Sequence, residues 1–187
     1  MRAYLTETDY ARRMDETVLP YLAARRQDRT LAGYDGVGLF CSCFSADEPR
    51  GTVTVVHGFT EFIEKYRELI WVFLSDGLNV VVYEQRGHGR SHRDVADKKL
   101  THVNRFTDYV KDLDRVLAQT ADFRTGPQYL FSHSMGGAVS ALFLEEVLVF
   151  FSSASASVCF ASFFAMEISP VPLIIIIFQN VRLVIVL

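Results

Sequence analysis

The chain has 187 residues, half of them apolar, and a net charge of −3. That length supports one domain with a substantial core, and the slightly acidic balance supplies no electrostatic attraction for nucleic acid. The opening stretch, MRAYLTETDYARRMDE, is charged throughout and has no apolar h-region, so the expected location is cytoplasmic rather than secreted.

In chain order, residues 1–28 read as a surface helix with Tyr10, Met14 and Leu22 on its apolar side, interrupted or ended near Pro20. Residues 36–44 (GVGLFCSCF) read as an early strand. Cys41 and Cys43 fall within it, and with Cys159 they form an odd, sparse set expected to be free thiols in a reducing compartment. Their C-x-C spacing lacks a second ligand pair, so no metal is expected; two side chains on one strand face is the preferred reading. GTVTVVHG (51–58) is a β-branched strand ending in a turn. Tyr66, Leu69, Ile70, Phe73 and Leu74 follow helical spacing, with Gly77 as the stop. NVVVYEQ (79–85) is a second buried strand, followed by the glycine turn RGHGRS. Apolar residues from Phe106 through 109, 110, 113 and 117 mark another amphipathic helix. QYLFS (128–132) is a third strand, and a third helix covers 135–148. Apolar strands alternating with amphipathic helices predict an α/β fold, with a mostly parallel sheet covered on both faces.

Composition breaks near residue 147. Of 19 basic and 22 acidic residues, only Glu167 and Arg182 lie in 147–187. The reading is therefore one domain portion over 1–146 and an anomalous apolar tail over 147–187. A sixth strand is expected near 157–161 and the sheet is expected to stop there. Such an end is what a shifted reading frame or an incomplete gene model produces. Residues 147–166 are uncharged and long enough in principle to span a bilayer. Serines 152, 153, 155, 157 and 162, with no positive cluster close by, argue against a span.

In a parallel sheet, function sits at the carboxyl ends of the strands. Three motifs lie there: His57-Gly58-Phe59, Arg86-Gly87-His88-Gly89, and Ser132-His133-Ser134-Met135-Gly136. A serine at a tight strand-to-helix turn has its hydroxyl thrust clear of the sheet, and small neighbours relieve the crowding around it. Ser134 is thus the candidate nucleophile, with Gly136 and Gly137 letting the helix pack close. The usual G-x-S-x-G pattern has Ser132 at its first position here. The free N–H groups of the helix start, beginning with Met135, can stabilise an oxyanion. The second donor is expected from the backbone N–H of Phe59.

The stretches VVHGFTEFIEKY (55–66), VVVYEQRGHGRS (80–91) and LFSHSMGGAVS (130–140) resemble the α/β-hydrolase family, most closely its monoacylglycerol lipase and bacterial lysophospholipase branch. The similarity covers roughly residues 10–146. Glu84 stands where the family usually has Asp. The resemblance implies nucleophile Ser134, oxyanion donors Phe59 and Met135, supporting turns at His57, Gly58, His133 and Gly136, an acyl-enzyme on a single-chain lipid ester, and no cofactor. It also implies a later acid and then a histidine. No histidine follows Ser134. Glu145 and Glu146 lie on the helix leaving the serine, and Glu167 comes too soon. The family's cap, last two strands and final helix are missing as well. The chain as written is therefore expected to be inactive. Two other readings stay open: a non-catalytic protein of the same fold, with peripheral membrane contact through the tail, and another hydrolase of the fold (an aminopeptidase or non-lipid esterase).

Overall fold

The computed structural model describes residues 5–154, 163–168, 171–178 and 181–186, with side chains through residue 146. Strands β1 (Arg26–Ala32), β2 (Gly38–Phe44), β3 (Gly51–Val56), β4 (Leu78–Tyr83) and β5 (Gln128–His133) are joined by β6 (Phe163–Ile168), β7 (Val171–Phe178) and β8 (Val181–Val186). The sheet order is β1-β2-β4-β3-β5-β8-β7-β6. At its centre β4, β3, β5 and β8 run parallel, while β1, β2, β7 and β6 pair antiparallel towards the two edges. The sheet thus continues past the expected stop after a sixth strand. The strand expected at 157–161 lies outside the described residues.

Helices cover both faces, as the uninterrupted valine runs require. Along β3 and β4 alternate residues face opposite ways. Val56, Val81 and Tyr83 pack with Val110 and Leu113 of α4 (Thr107–Gln119) and with Val139 and Leu144 of α5 (Met135–Ala154). Val53, Val55, Val80 and Val82 pack with Leu22 of α2 (Leu19–Ala23) and with Ile70, Trp71 and Leu74 of α3 (Arg67–Ser75). Cys41 and Cys43 both face the α4–α5 side and are buried free thiols.

Two local readings are corrected, and the interruption expected near Pro20 is found. The first helix ends at Ala23, and residues 26–32 form an edge strand rather than helix. Of RQDRTLA only Leu31 is buried, and the strand is held by antiparallel pairing with β2 from Arg26↔Phe44 to Ala32↔Gly38. Charge on an outermost strand discourages further edge-to-edge association. Ahead of that, α1 (Tyr10–Arg13) runs into a π-helical turn at Met14–Val18 just before Pro20. Proline has no N–H for the helical ladder, and widening of the turn absorbs the missing bond. In α3 the buried stripe is Tyr66, Ile70, Trp71 and Leu74, with Leu69 and Phe73 half-buried.

Candidate active site

Register places the site. In β3 and β5, Val56 pairs with Ser132; in β3 and β4, Val56 pairs with Tyr83. Three parallel strands therefore end level, and the loops starting at His57, Glu84 and His133 emerge side by side.

The chain leaves β5 through Ser134, which has φ +51, and enters α5 at Met135. A left-handed backbone at a residue with a Cβ is strained, and such strain concentrates at functional turns. The Ser134 carbonyl accepts the Gly137 N–H at 2.8 Å, closing the turn. The serine is exposed and no hydrogen bond engages its hydroxyl among the described residues. A Cβ on Gly136 would meet the Val56 carbonyl oxygen and lie 2.7 Å from that of His57, so α5 starts against the end of β3 only because glycine is there. Ser132, at the position usually held by glycine, is fully buried. Its hydroxyl is paired with that of Ser140 one helical turn into α5, at 2.7 Å. That partner accommodates the departure from the usual motif.

The loop after β3 carries the other non-glycine residue with left-handed backbone, Thr60 at φ +57. Its shape is fixed by two side chains. His57 is fully buried: Nε2 accepts the Gln85 N–H at 2.9 Å, so Nδ1 bears the proton and donates to the Gly58 carbonyl at 2.7 Å. Burial lowers its pKa to about 4, so the ring is neutral at physiological pH with both nitrogens engaged.

Glu61 is the second anchor. Its Oε2 accepts from the Gly58 N–H at 2.7 Å, from the Tyr66 hydroxyl at 2.5 Å and from His133 Nδ1 at 3.1 Å, while Lys65 Nζ donates to Oε1 at 3.1 Å. A carboxylate only accepts, so His133 carries its proton on Nδ1. Burial pushes Glu61 up, but the donors of Tyr66, Gly58, Lys65 and His133 outweigh it and hold the carboxyl at about 2. Burial and then Glu61 raise the Tyr66 hydroxyl in return. One carboxylate thus ties the β3 loop to the residue immediately before Ser134. A Cβ on Gly58 would lie 2.9 Å from both Glu61 Oε2 and His133 Nδ1, so the two turns touch. This clamp went unrecognised in the sequence; its only signal was the glutamate three residues after Gly58.

The third loop is structural. Glu84 is buried and accepts the Arg90 N–H at 2.5 Å, and a Cβ on Gly89 would collide with its carboxylate. Arg86 is buried with Asp112, Nε to Oδ2 at 2.7 Å, and reaches Asp35 at 3.0 Å. The Asp112 hydrogen bond, ahead of that to Asp35, keeps this guanidinium firmly protonated. His88 is buried, with Nδ1 3.0 Å from the Arg86 carbonyl oxygen and its ring edge-on to those of His57 and Phe59. Burial lowers its pKa.

All the residues singled out in the sequence converge here. Ser134, Met135, Gly136 and His133 lie on one turn, and His57, Gly58 and Phe59 on the loop that touches it. Phe59 is 54% exposed and Phe62 43%, giving the loop an apolar outer edge. None of the five histidines hydrogen-bonds to Ser134. His92 Nε2 lies 3.1 Å from Asp94 Oδ1 and His102 Nε2 lies 3.2 Å from Asn104 Oδ1, both on the surface.

Comparison with known proteins agrees with this geometry. The family model described as serine aminopeptidase, S33, matches residues 47–185. Lysophospholipase L2 of Escherichia coli is 38% identical over 125 residues, covering 65% of this chain and 36% of that protein. A monoacylglycerol lipase of Mycolicibacterium smegmatis is 31% identical over 120 residues, covering 63% and 41%. The chain thus spans well under half the length of these relatives. Among solved structures, a thermostable carboxyl esterase from Bacillus coagulans superposes with a TM-score of 0.55 at 23% identity, over 64% of this chain and 39% of the esterase. No helix among the described residues is long and apolar enough to cross a membrane. The level strand ends, the strained serine turn and the matched family model together place this chain in the serine aminopeptidase S33 family of α/β-hydrolases.

Proposed function

We propose that Ser134 is the nucleophile of a carboxylester hydrolase acting on single-chain lipid esters. The observation that carries this is the left-handed backbone of an exposed, hydrogen-bond-free Ser134 directly against the His57–Glu61 loop. The hydroxyl oxygen attacks the ester carbonyl and its proton passes to a base. The negative oxygen of the tetrahedral intermediate is held by the backbone N–H groups of Phe59 and Met135, each worth about 3–4 kcal/mol of transition-state stabilisation. Collapse expels the alcohol and leaves an acyl-serine, which water then cleaves. The exposed rings of Phe59 and Phe62 favour an apolar substrate, and the names of the relatives point to a monoacylglycerol or a lysophospholipid.

The base is the missing part. Neutral His57 has no free nitrogen, His133 is turned to Glu61, His88 is buried and makes no hydrogen bond to Ser134, His92 and His102 pair with Asp94 and Asn104, and residues 135–187 contain no histidine. These 187 residues alone are therefore slow, keeping at most the roughly 10³–10⁴-fold advantage over water that an oxyanion hole and binding provide. Fluorophosphonate labelling tests the assignment. We expect slow modification that disappears in Ser134→Ala. Rapid labelling, or labelling that survives Ser134→Ala, overturns it.

A further inference from the structure

On the sheet face covered by α2 and α3 there is a cavity of about 240 Å³, walled by Leu19, Leu22, Phe44, Ile63 and Ile70. None of its lining residues belongs to the turns around Ser134. Three charged residues also line it, Arg26, Arg67 and Glu64, and their partners are unevenly assigned. Glu64 Oε1 accepts from Arg90 at 3.0 Å and only distantly, at 3.4 Å, from Arg26 Nη1. Arg26 Nε donates to Asp28 Oδ1 at 2.7 Å, whereas its Nη2 is buried and has no partner among the described residues. Arg67 makes no hydrogen bond or ion pair among the described residues. A guanidinium is the side chain best shaped to take two oxygens of one anion.

We propose that this cavity is a binding site for an anionic single-chain amphiphile. The head group sits between Arg26 and Arg67, and the alkyl chain lies on Leu22, Phe44 and Ile70. Apolar walls alone would suit any hydrophobe. Arg26 is paired with Asp28, and Glu64 with Arg90, so Arg67 is the lining cation left to select a negatively charged head. If each methylene takes about a water's share of volume, ~30 Å³, the cavity holds a chain of about eight carbons. A fatty carboxylate and an alkyl phosphate present the same chemistry, an oxyanion on an alkyl chain, and the experiment separates them.

The chain has a single tryptophan, Trp71, which packs in the same cluster as Leu22, Phe44, Ile63 and Ile70. Trp71 does not line the cavity but belongs to the cluster that walls it, so its fluorescence reports on an occupant through short-range quenching. The full chain is titrated with 8-bromooctanoate, 8-bromooctyl phosphate and the uncharged 8-bromooctanol, the bromine quenching at short range. Saturable quenching by an anion is expected at concentrations at least about tenfold below those the alcohol requires, the loss of one charged hydrogen bond. Arg67→Gln should weaken the anion about tenfold and leave the alcohol unchanged. Tighter binding of the carboxylate identifies a fatty acid as the occupant, and tighter binding of the phosphate identifies a lysophospholipid-type head. Ser134→Ala should not alter the titration, so this result stands or falls separately from the catalytic assignment. Arg67 is half-exposed and has no hydrogen-bond or ion-pair partner among the described residues, so its replacement leaves the fold intact even if Arg26→Gln does not fold. Equal quenching by alcohol and anions, or anion binding untouched by Arg67→Gln, overturns the proposal.

Discussion

Replacing Glu61 by Gln isolates the charge that ties the two turns together. The carboxyl is held at about 2 against an ordinary 4.5, and its side chain is only 12% exposed, so solvent screening is small. At 1.36 kcal/mol per pH unit, ionised Glu61 contributes about 3 kcal/mol at neutral pH. The sign follows from a depressed folded-state pKa: the contribution is complete above the unfolded value and is lost as pH falls towards the folded one. Linkage over that window leaves about 1.5 kcal/mol at pH 3. Gln imitates the protonated acid in size and polarity. The stability difference between the parent chain and Glu61→Gln should therefore be about 3 kcal/mol at pH 7, narrowing to about half at pH 3. Urea unfolding followed by Trp71 fluorescence measures it at each pH. Taking the difference between the two chains cancels the titrating groups that do not touch Glu61. A gap below about 0.5 kcal/mol at pH 7, or one that stays constant between pH 5 and pH 3, refutes the clamp.

His57, buried and neutral with its pKa lowered to about 4, should cost the fold about 1.36 kcal/mol per pH unit as pH drops from 6.5 towards 4. His57→Asn should flatten that limb of the stability profile, and an unchanged slope contradicts the assignment. Ser140→Ala leaves the buried Ser132 hydroxyl without its partner and should cost about 1–3 kcal/mol by denaturant unfolding; adding Ser132→Gly should recover most of the loss. Asp112→Ala removes the buried partner of the Arg86 guanidinium, leaving only the more exposed Asp35, and should destabilise by about 3 kcal/mol in the same assay, well above the cost of removing an exposed ion pair such as Arg12–Glu16. Gly136→Ala should abolish fluorophosphonate modification, because the added methyl separates the start of α5 from the end of β3.

The parts legible in the sequence share one property: their signal is local. The valine runs of β3 and β4 and the glycine-flanked serine each announce themselves within a few residues. They located the sheet centre and both site loops. What escaped depends on partners distant in sequence. Strand β1 has almost no buried residue of its own and exists because β2 offers it a ladder. Glu61 and His133 stand 72 residues apart and meet only because β3 and β5 are neighbours in register. Ser132 is a mild departure from the motif in the sequence, and its partner Ser140 comes opposite it only in the fold. Beyond residue 146 the composition changes abruptly, and with only Glu167 and Arg182 charged there, polar–apolar alternation gives little to place strands by.

The central claim is that Ser134 faces two backbone amides, Phe59 N–H and Met135 N–H. A crystal structure of the chain after prolonged treatment with a fluorophosphonate tests it most directly. The account predicts phosphorus bonded to Ser134 Oγ, with the phosphonyl oxygen about 2.7–3.1 Å from both nitrogens. An adduct on any other residue, or a phosphonyl oxygen on Ser134 pointing to solvent away from Phe59, contradicts it.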